Sequence, residues 1–149
     1  MIGAMPSPTV FTLEAVNSLV PRLNSLVEAQ IERRTEIEAR LEQLAGMLGH
    51  APENLDAAEG DEPGVRKLKS DIAERVDAYR SGWREVEELG AVIKDPREGL
   101  VDFYGRVDGK LVWLCWKYGE NMVAHYHGLD EGFSGRKPIL ATMRSRHLN

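Results

Sequence analysis

Apolar residues recur every three or four positions through the first half of the chain and at alternate positions through much of the second, with the change near residue 91. Thr12 is suited to cap a first helix, because its hydroxyl can accept from an orphan backbone N–H, and Glu14 follows in the first turn, where the helix dipole favours an anion. Leu13, Val16, Val20, Leu23, Val27, Ile37, Leu41, Leu44 and Leu48 then fall on one seam, interrupted only by Gln30 and Arg34. Pro21 lies within it and predicts a kink or a short first turn. The pattern stops at Gly46 or Gly49. The stretch GHAPENLDAAEGDEP that follows has no period and reads as a long, mobile connector. A second helix is predicted from Pro63, with Val65, Leu68, Ile72, Val76, Tyr79, Trp83, Val86 and Leu89 on one face and Gly90 as its C-cap. Two facing stripes joined by one loop predict an antiparallel helical hairpin. Counting back from the loop sets Gln30 and Arg34 near Tyr79 and Trp83, as a polar layer that fixes register.

Beyond residue 91 the period is that of strands. Segments near 100–105, 110–117 and 122–127 fit a three-stranded antiparallel meander, and a short strand at Ala91–Lys94 could join it. Asp108-Gly109 between apolar runs is a two-residue hairpin signal, and Gly119-Glu120-Asn121 marks the second turn. The fold class expected is α+β: a long antiparallel helical hairpin with a small three-stranded β-meander packed at one end. The chain, 1–149, reads as a single domain, with the hairpin at about 12–90, the meander and a Gly-rich loop at about 91–140, and a tail to 149.

Composition narrows the function classes. The chain carries a formal net charge of −5. That balance speaks against general nucleic-acid binding, which needs a basic footprint, and against adhesion to anionic membranes. Arg136, Lys137, Arg144 and Arg146 are read as a solvated basic tail. Cys115 is the only cysteine, so no intramolecular disulfide is possible. The opening MIGAMPSPTVFT lacks the charged and apolar regions of a signal peptide, and no apolar run reaches the roughly 20 residues of a membrane span. The cytoplasm is the expected location.

Chemistry concentrates between Gly99 and Ile139, where two of the three tryptophans, Trp113 and Trp116, and Cys115 fall. His125 and His127, two apart on a strand, point to one face and could reach one ion. A metal set of His125, His127, Asp102 and Cys115 depends on register. The Asp108-Gly109 turn sets Asp102 opposite Cys115. A three-residue second turn would place Cys115 opposite His125, making a row of Asp102, Cys115 and His125. A two-residue turn would place Cys115 opposite Ala124 and gives the better apolar face, so it is the expected register. It turns both histidines toward the helices and leaves Cys115 without a histidine partner, hence a structural side chain rather than a nucleophile. The loop Gly132-Phe133-Ser134-Gly135 precedes Arg136 and Lys137 and could bind an anion; otherwise Arg136 would pair with Asp130 or Glu131. The ligand site expected from this reading is His127, Asp130, Glu131 and Arg136 around one folded loop, with Cys115 outside its rim. No residue is assigned a catalytic role and no motif names a cofactor.

The strings FTLEAVNSLVPRL, GLVDF, LCWKYGE and HGLDEGFSGRKPI together resemble the bacterial domain-of-unknown-function family 2203, from Phe11 to Ile139. The resemblance implies attention to Asp102, Cys115, Trp116, Gly119, Glu120, His127, Gly132, Gly135 and Arg136, and implies no activity. The family pattern has an aromatic residue where this chain has His125. The function expected is a non-enzymatic interaction or assembly module, a homo-oligomer through the long helices. The alternative is a small-anion or metal-binding protein with its site at the third strand and the Gly-rich loop.

Overall fold

The architecture is that of a computed structural model, which describes residues 9–140. Two helices and a five-stranded antiparallel sheet follow in the order α1 (Leu13–Leu48), α2 (Pro63–Glu88), β1 (Val92–Asp95), β2 (Leu100–Val107), β3 (Lys110–Lys117), β4 (His125–His127) and β5 (Lys137–Pro138). A single 3-10 turn, Phe133–Gly135, separates the last two strands. The fold is therefore α+β. None of the described helices is long and apolar enough to cross a membrane. Arg144 and Arg146 of the expected basic tail lie outside the described residues.

Two compact units are present, residues 27–85 and residues 9–26 with 86–140. In the first, Leu44, Val65 and Ile72 are buried, with Leu41, Leu48, Leu68 and Val76 packed against them, which is the seam read from sequence. Gln30 is fully buried, and its Nε2 donates to the Tyr79 carbonyl at 2.6 Å. Its Oε1 lies where a Cβ on Gly82 would stand, so only glycine admits it there. The polar layer is thus at the expected height, but Arg33 completes it, donating to Gln30 Oε1 at 2.6 Å. Arg34 instead faces Glu38 at 3.7 Å. The connector is anchored rather than mobile. Lys69, 7% exposed, donates to the Asp56 carbonyl (3.0 Å) and to Asp61 (2.9 Å), and Leu55 joins the apolar cluster. Its acidic composition, which suggested a solvated loop, supplies the acceptors that hold that buried lysine.

The second unit contains the sheet. Thr12 Oγ1 accepts from the Ala15 N–H at 3.0 Å and caps α1 as expected. Pro21 does not end the helix: one missing hydrogen bond is outweighed by the burial of Val16, Val20 and Leu23 on either side of it. Asn17 and Asn24 tie the start of α1 to the β3–β4 connection. Asn17 Oδ1 accepts from the Val123 N–H (2.6 Å), and Asn24 Nδ2 donates to the Glu120 carbonyl (3.3 Å).

Strand order is β1-β2-β3-β4-β5, each pair antiparallel. The three-stranded meander is therefore too small a reading. β1 pairs along β2, and β5 adds a further edge, His125 opposite Pro138. β5 was illegible because it is two residues long and half proline, a residue that is tolerated at an edge, where no N–H is required. Asp108 (φ 52°) and Gly109 (φ 74°) both take left-handed backbone, the requirement of a type I′ hairpin. They set Asp102 opposite Cys115, as the turn predicts.

At the second hairpin the expected register is wrong. Cys115 faces His125, and Trp113 faces His127. The connection is longer than a tight turn because Asn17 and Asn24 hold its backbone, so turn chemistry alone could not fix the count. The one-residue difference moves both histidines to the face that carries Asp102, Trp113 and Cys115. Val101, Phe103, Leu114 and Trp116 make the opposite, buried face. Trp113, 6% exposed, is buried as well, stacked on Tyr104 at 4.0 Å. Trp83, on the apolar stripe read from sequence, is half-buried.

Candidate functional site

Alternation along the strands brings Asp102 (β2), Cys115 (β3) and His127 (β4) to one place on that second face. All three are buried, and one ligand atom from each lies within 4.8 Å of the others. Asp102 Oδ2 and His127 Nε2 are 2.8 Å apart. The other ring nitrogen, Nδ1, is 3.0 Å from the Gly128 carbonyl. A carbonyl only accepts, so Nδ1 carries the proton and donates it. Nε2 therefore presents its lone pair to a carboxylate, unless a second proton lies between them. Two acceptors at this distance require a cation, whether a proton or a metal ion.

Burial dominates the electrostatics. It pushes the Asp102 carboxyl above the usual carboxylate range, against the opposing pull of His127. Burial also raises the Cys115 thiol to about 12, helped by the neighbouring Asp102 charge and opposed by Arg136. A thiol so held stays protonated at neutral pH.

Arg136 approaches the same cysteine, with Nη1 3.9 Å from Sγ. Its partner is Glu120, in a two-pronged pair of 3.3 and 2.8 Å, and neither Asp130 nor Glu131. Burial would raise the Glu120 carboxyl, but the Arg136 hydrogen bonds and the Lys117 N–H bring it below its ordinary value. Phe133, from the 3-10 turn, lies over the guanidinium at 4.2 Å. The Gly-rich loop is organised differently from an anion-binding nest. Glu131 turns back to accept from the Gly128 N–H at 2.8 Å, and its side chain fills the space that a Cβ on Gly128 or Gly135 would need.

A cavity of about 70 Å³ lies beside the cluster, lined by Lys94, Leu100, Asp102, Cys115, His127, Glu131, Gly132 and Phe133. Of the four-residue metal set, Asp102, Cys115 and His127 come together; His125 lies opposite Cys115 but outside the cluster, its Nδ1 buried without a hydrogen-bond partner. Of the loop set, His127 and Glu131 line the cavity, Arg136 touches Cys115, and Asp130 is exposed. Cys115 is part of the cavity wall, contrary to the rim drawn from sequence, because the expected register put His127 on the other face.

Lys94 escaped the sequence reading. β1 pairs Val92 with Asp102 and then bulges between Ile93 and Asp95, and Lys94 comes to rest with its ammonium 3.8 Å above the Trp113 ring. Its position two residues after Val92 would have suggested this face, had β1 been given a register.

Among known proteins, the profile of a family described as "Uncharacterized conserved protein (DUF2203)" matches residues 9–139. No curated protein and no solved structure matches the chain.

Proposed function

The chain belongs to the DUF2203 family, and from the geometry of its site we propose that it is a metal-binding protein that holds one divalent transition-metal ion on Asp102, Cys115 and His127. The observation that carries the reading is the orientation of His127. Its Nδ1–H is engaged by the Gly128 carbonyl (3.0 Å), and its Nε2 faces a buried carboxylate at 2.8 Å. Fixing one imidazole nitrogen with a backbone carbonyl so that the other is aimed at an ion is how proteins orient metal-binding histidines.

One thiolate, one imidazole and one carboxylate suit zinc, cobalt or ferrous iron better than magnesium or calcium, which prefer oxygen. In a tetrahedral zinc site with bonds of about 2.0–2.3 Å, ligand atoms stand roughly 3.3–3.6 Å apart. The Asp102–His127 gap of 2.8 Å would open by about 0.5 Å when the ion replaces the shared proton. Arg136 would lie outside the coordination shell and donate to the thiolate, with Glu120 and Phe133 holding its guanidinium in place. A reduced thiol ligand suits a reducing compartment such as the cytoplasm.

Self-assembly has less behind it. Of the exposed large apolar side chains among the described residues, Met47 lies on α1 and Leu111 on β3, while Met122, Leu129 and Leu140 lie outside the helices and strands, and single exposed apolar residues are ordinary. The long helices are read here as an antiparallel hairpin that serves as scaffold, supported by the Gln30–Tyr79 and Arg40–Asp71 contacts.

Equilibrium dialysis against zinc tests the proposal. One ion per chain is expected for the wild type, with the site lost in Cys115→Ser and in His127→Gln. Binding in both variants that is as tight as in the wild type, or absent in all three proteins, would end it.

A further inference from the structure

Three protein ligands leave a four-coordinate ion with one position to fill. In zinc proteins that pattern separates sites that handle a small ligand from sites that are closed and structural. His125, the other histidine on this face, has no ring nitrogen within the 4.8 Å that joins the three ligand atoms. What borders the cluster is the cavity of about 70 Å³.

The charge around that cavity has a definite sign once an ion is bound. A divalent ion on an Asp102 carboxylate, a Cys115 thiolate and a neutral His127 sums to zero. Glu131 is balanced separately, by the Gly128 N–H at 2.8 Å and by Lys137 at 3.7 Å. Lys94 is left over. Its ammonium rests on the Trp113 ring, at 3.8 Å, rather than in an ion pair, and the nearby charge that steadies it, Asp102, is the one the metal takes. The remaining walls include Leu100 and Phe133, and Lys94 itself is exposed, so it would meet an anion at the solvent side of the cavity.

Resting on the metal reading above, we infer that the cavity is a subsite for a small oxyanion, which would ligate the ion through one oxygen and pair with Lys94 through the other. Size restricts the class. The space beside the cluster, about 70 Å³, is a few water molecules in extent. That admits a formate- or hydrogencarbonate-sized anion and leaves less room beside the ion for an aromatic or branched carboxylate.

Cobalt-loaded protein titrated with formate, with cobalt content measured on the same samples, tests this. Formate should shift the cobalt d–d absorption saturably, and benzoate should leave it unchanged. In Lys94→Met the cobalt content should be retained while formate affinity falls on the order of tenfold, as for loss of one charged hydrogen bond. Lys94→Arg should recover part of it, which guards against a folding defect in the first variant. If cobalt binds but formate gives no saturable shift, or benzoate binds as well as formate, or Lys94→Met binds formate as tightly as wild type, the subsite is refuted and the metal site stands. If cobalt does not bind at all, the metal reading fails and takes the subsite with it.

Discussion

Replacing Asp102 with asparagine separates a metal site from a structural ion pair. The two carboxylate oxygens become an oxygen and an NH₂ of nearly the same shape. The amide can donate to the His127 Nε2 lone pair across the present 2.8 Å gap, so the metal-free protein loses the shared proton without leaving a buried acceptor unsatisfied. The metal-free stability should therefore change by less than about 1 kcal/mol, the usual scale of one neutral hydrogen bond. Breaking a buried pair whose purpose is stability would cost about 3–5 kcal/mol instead. The difference appears when zinc is added. At 100 times its dissociation constant, a ligand that binds only the folded state adds about 2.7 kcal/mol. For a chain of this size that raises Tm by roughly 5–11 °C. Asp102→Asn should melt near the metal-free wild type and show little of that zinc-dependent rise, by differential scanning calorimetry. A variant that keeps the full zinc shift, or that loses more than about 3 kcal/mol without metal, would refute the reasoning.

Trp116→Ala should destabilise by roughly 3–5 kcal/mol in denaturant melts, because the ring is fully buried and its Nε1 donates to the Glu120 carbonyl at 3.0 Å; a loss under about 1 kcal/mol would mean that the buried face is misassigned. Cys115 is 1% exposed with its thiol raised to about 12, so in metal-free folded protein at pH 8 about one thiol in ten thousand is ionised. A thiol-disulfide reagent should label it only as the chain unfolds, and rapid labelling under native conditions would contradict its burial. Glu120 is depressed in the fold by Arg136 and the Lys117 N–H, against burial. A depressed carboxyl contributes stability that is present above its unfolded value, 4.5, and is lost as pH falls through the lower folded one. Glu120→Gln should be less stable than wild type at neutral pH, and the gap should close as pH falls below 4.5 and through the depressed folded value; a gap that is independent of pH would assign the loss to packing.

The helices were legible because each repeats one signal over many turns. Leu44, Val65 and Ile72 sit on the seam and stripe read from spacing, and Gln30 meets Tyr79 where counting from the loop put it. The first hairpin was legible because Asp108-Gly109 admits few geometries. The site was not, for one reason in two places. Its residues come from different strands, so their meeting depends on register, and register at β3–β4 is set by Asn17 and Asn24 more than one hundred and about ninety-five positions away in sequence, respectively. No local pattern around Gly119 records those contacts. The same holds for Lys94, which a bulge in β1 brings over Trp113. Asp102, Cys115 and His127 were each recognised as chemically notable from their residue types, yet the expected register separated the last from the other two.

X-ray absorption at the zinc edge of the loaded protein tests the central claim most directly, because it reads the ligand atoms themselves. The account predicts one sulfur at about 2.3 Å, with the remaining shell of nitrogen and oxygen at about 2.0–2.2 Å, and loss of the sulfur shell in Cys115→Ser. A shell of nitrogen and oxygen alone in the wild type would place any bound zinc elsewhere and contradict a site built on Asp102, Cys115 and His127.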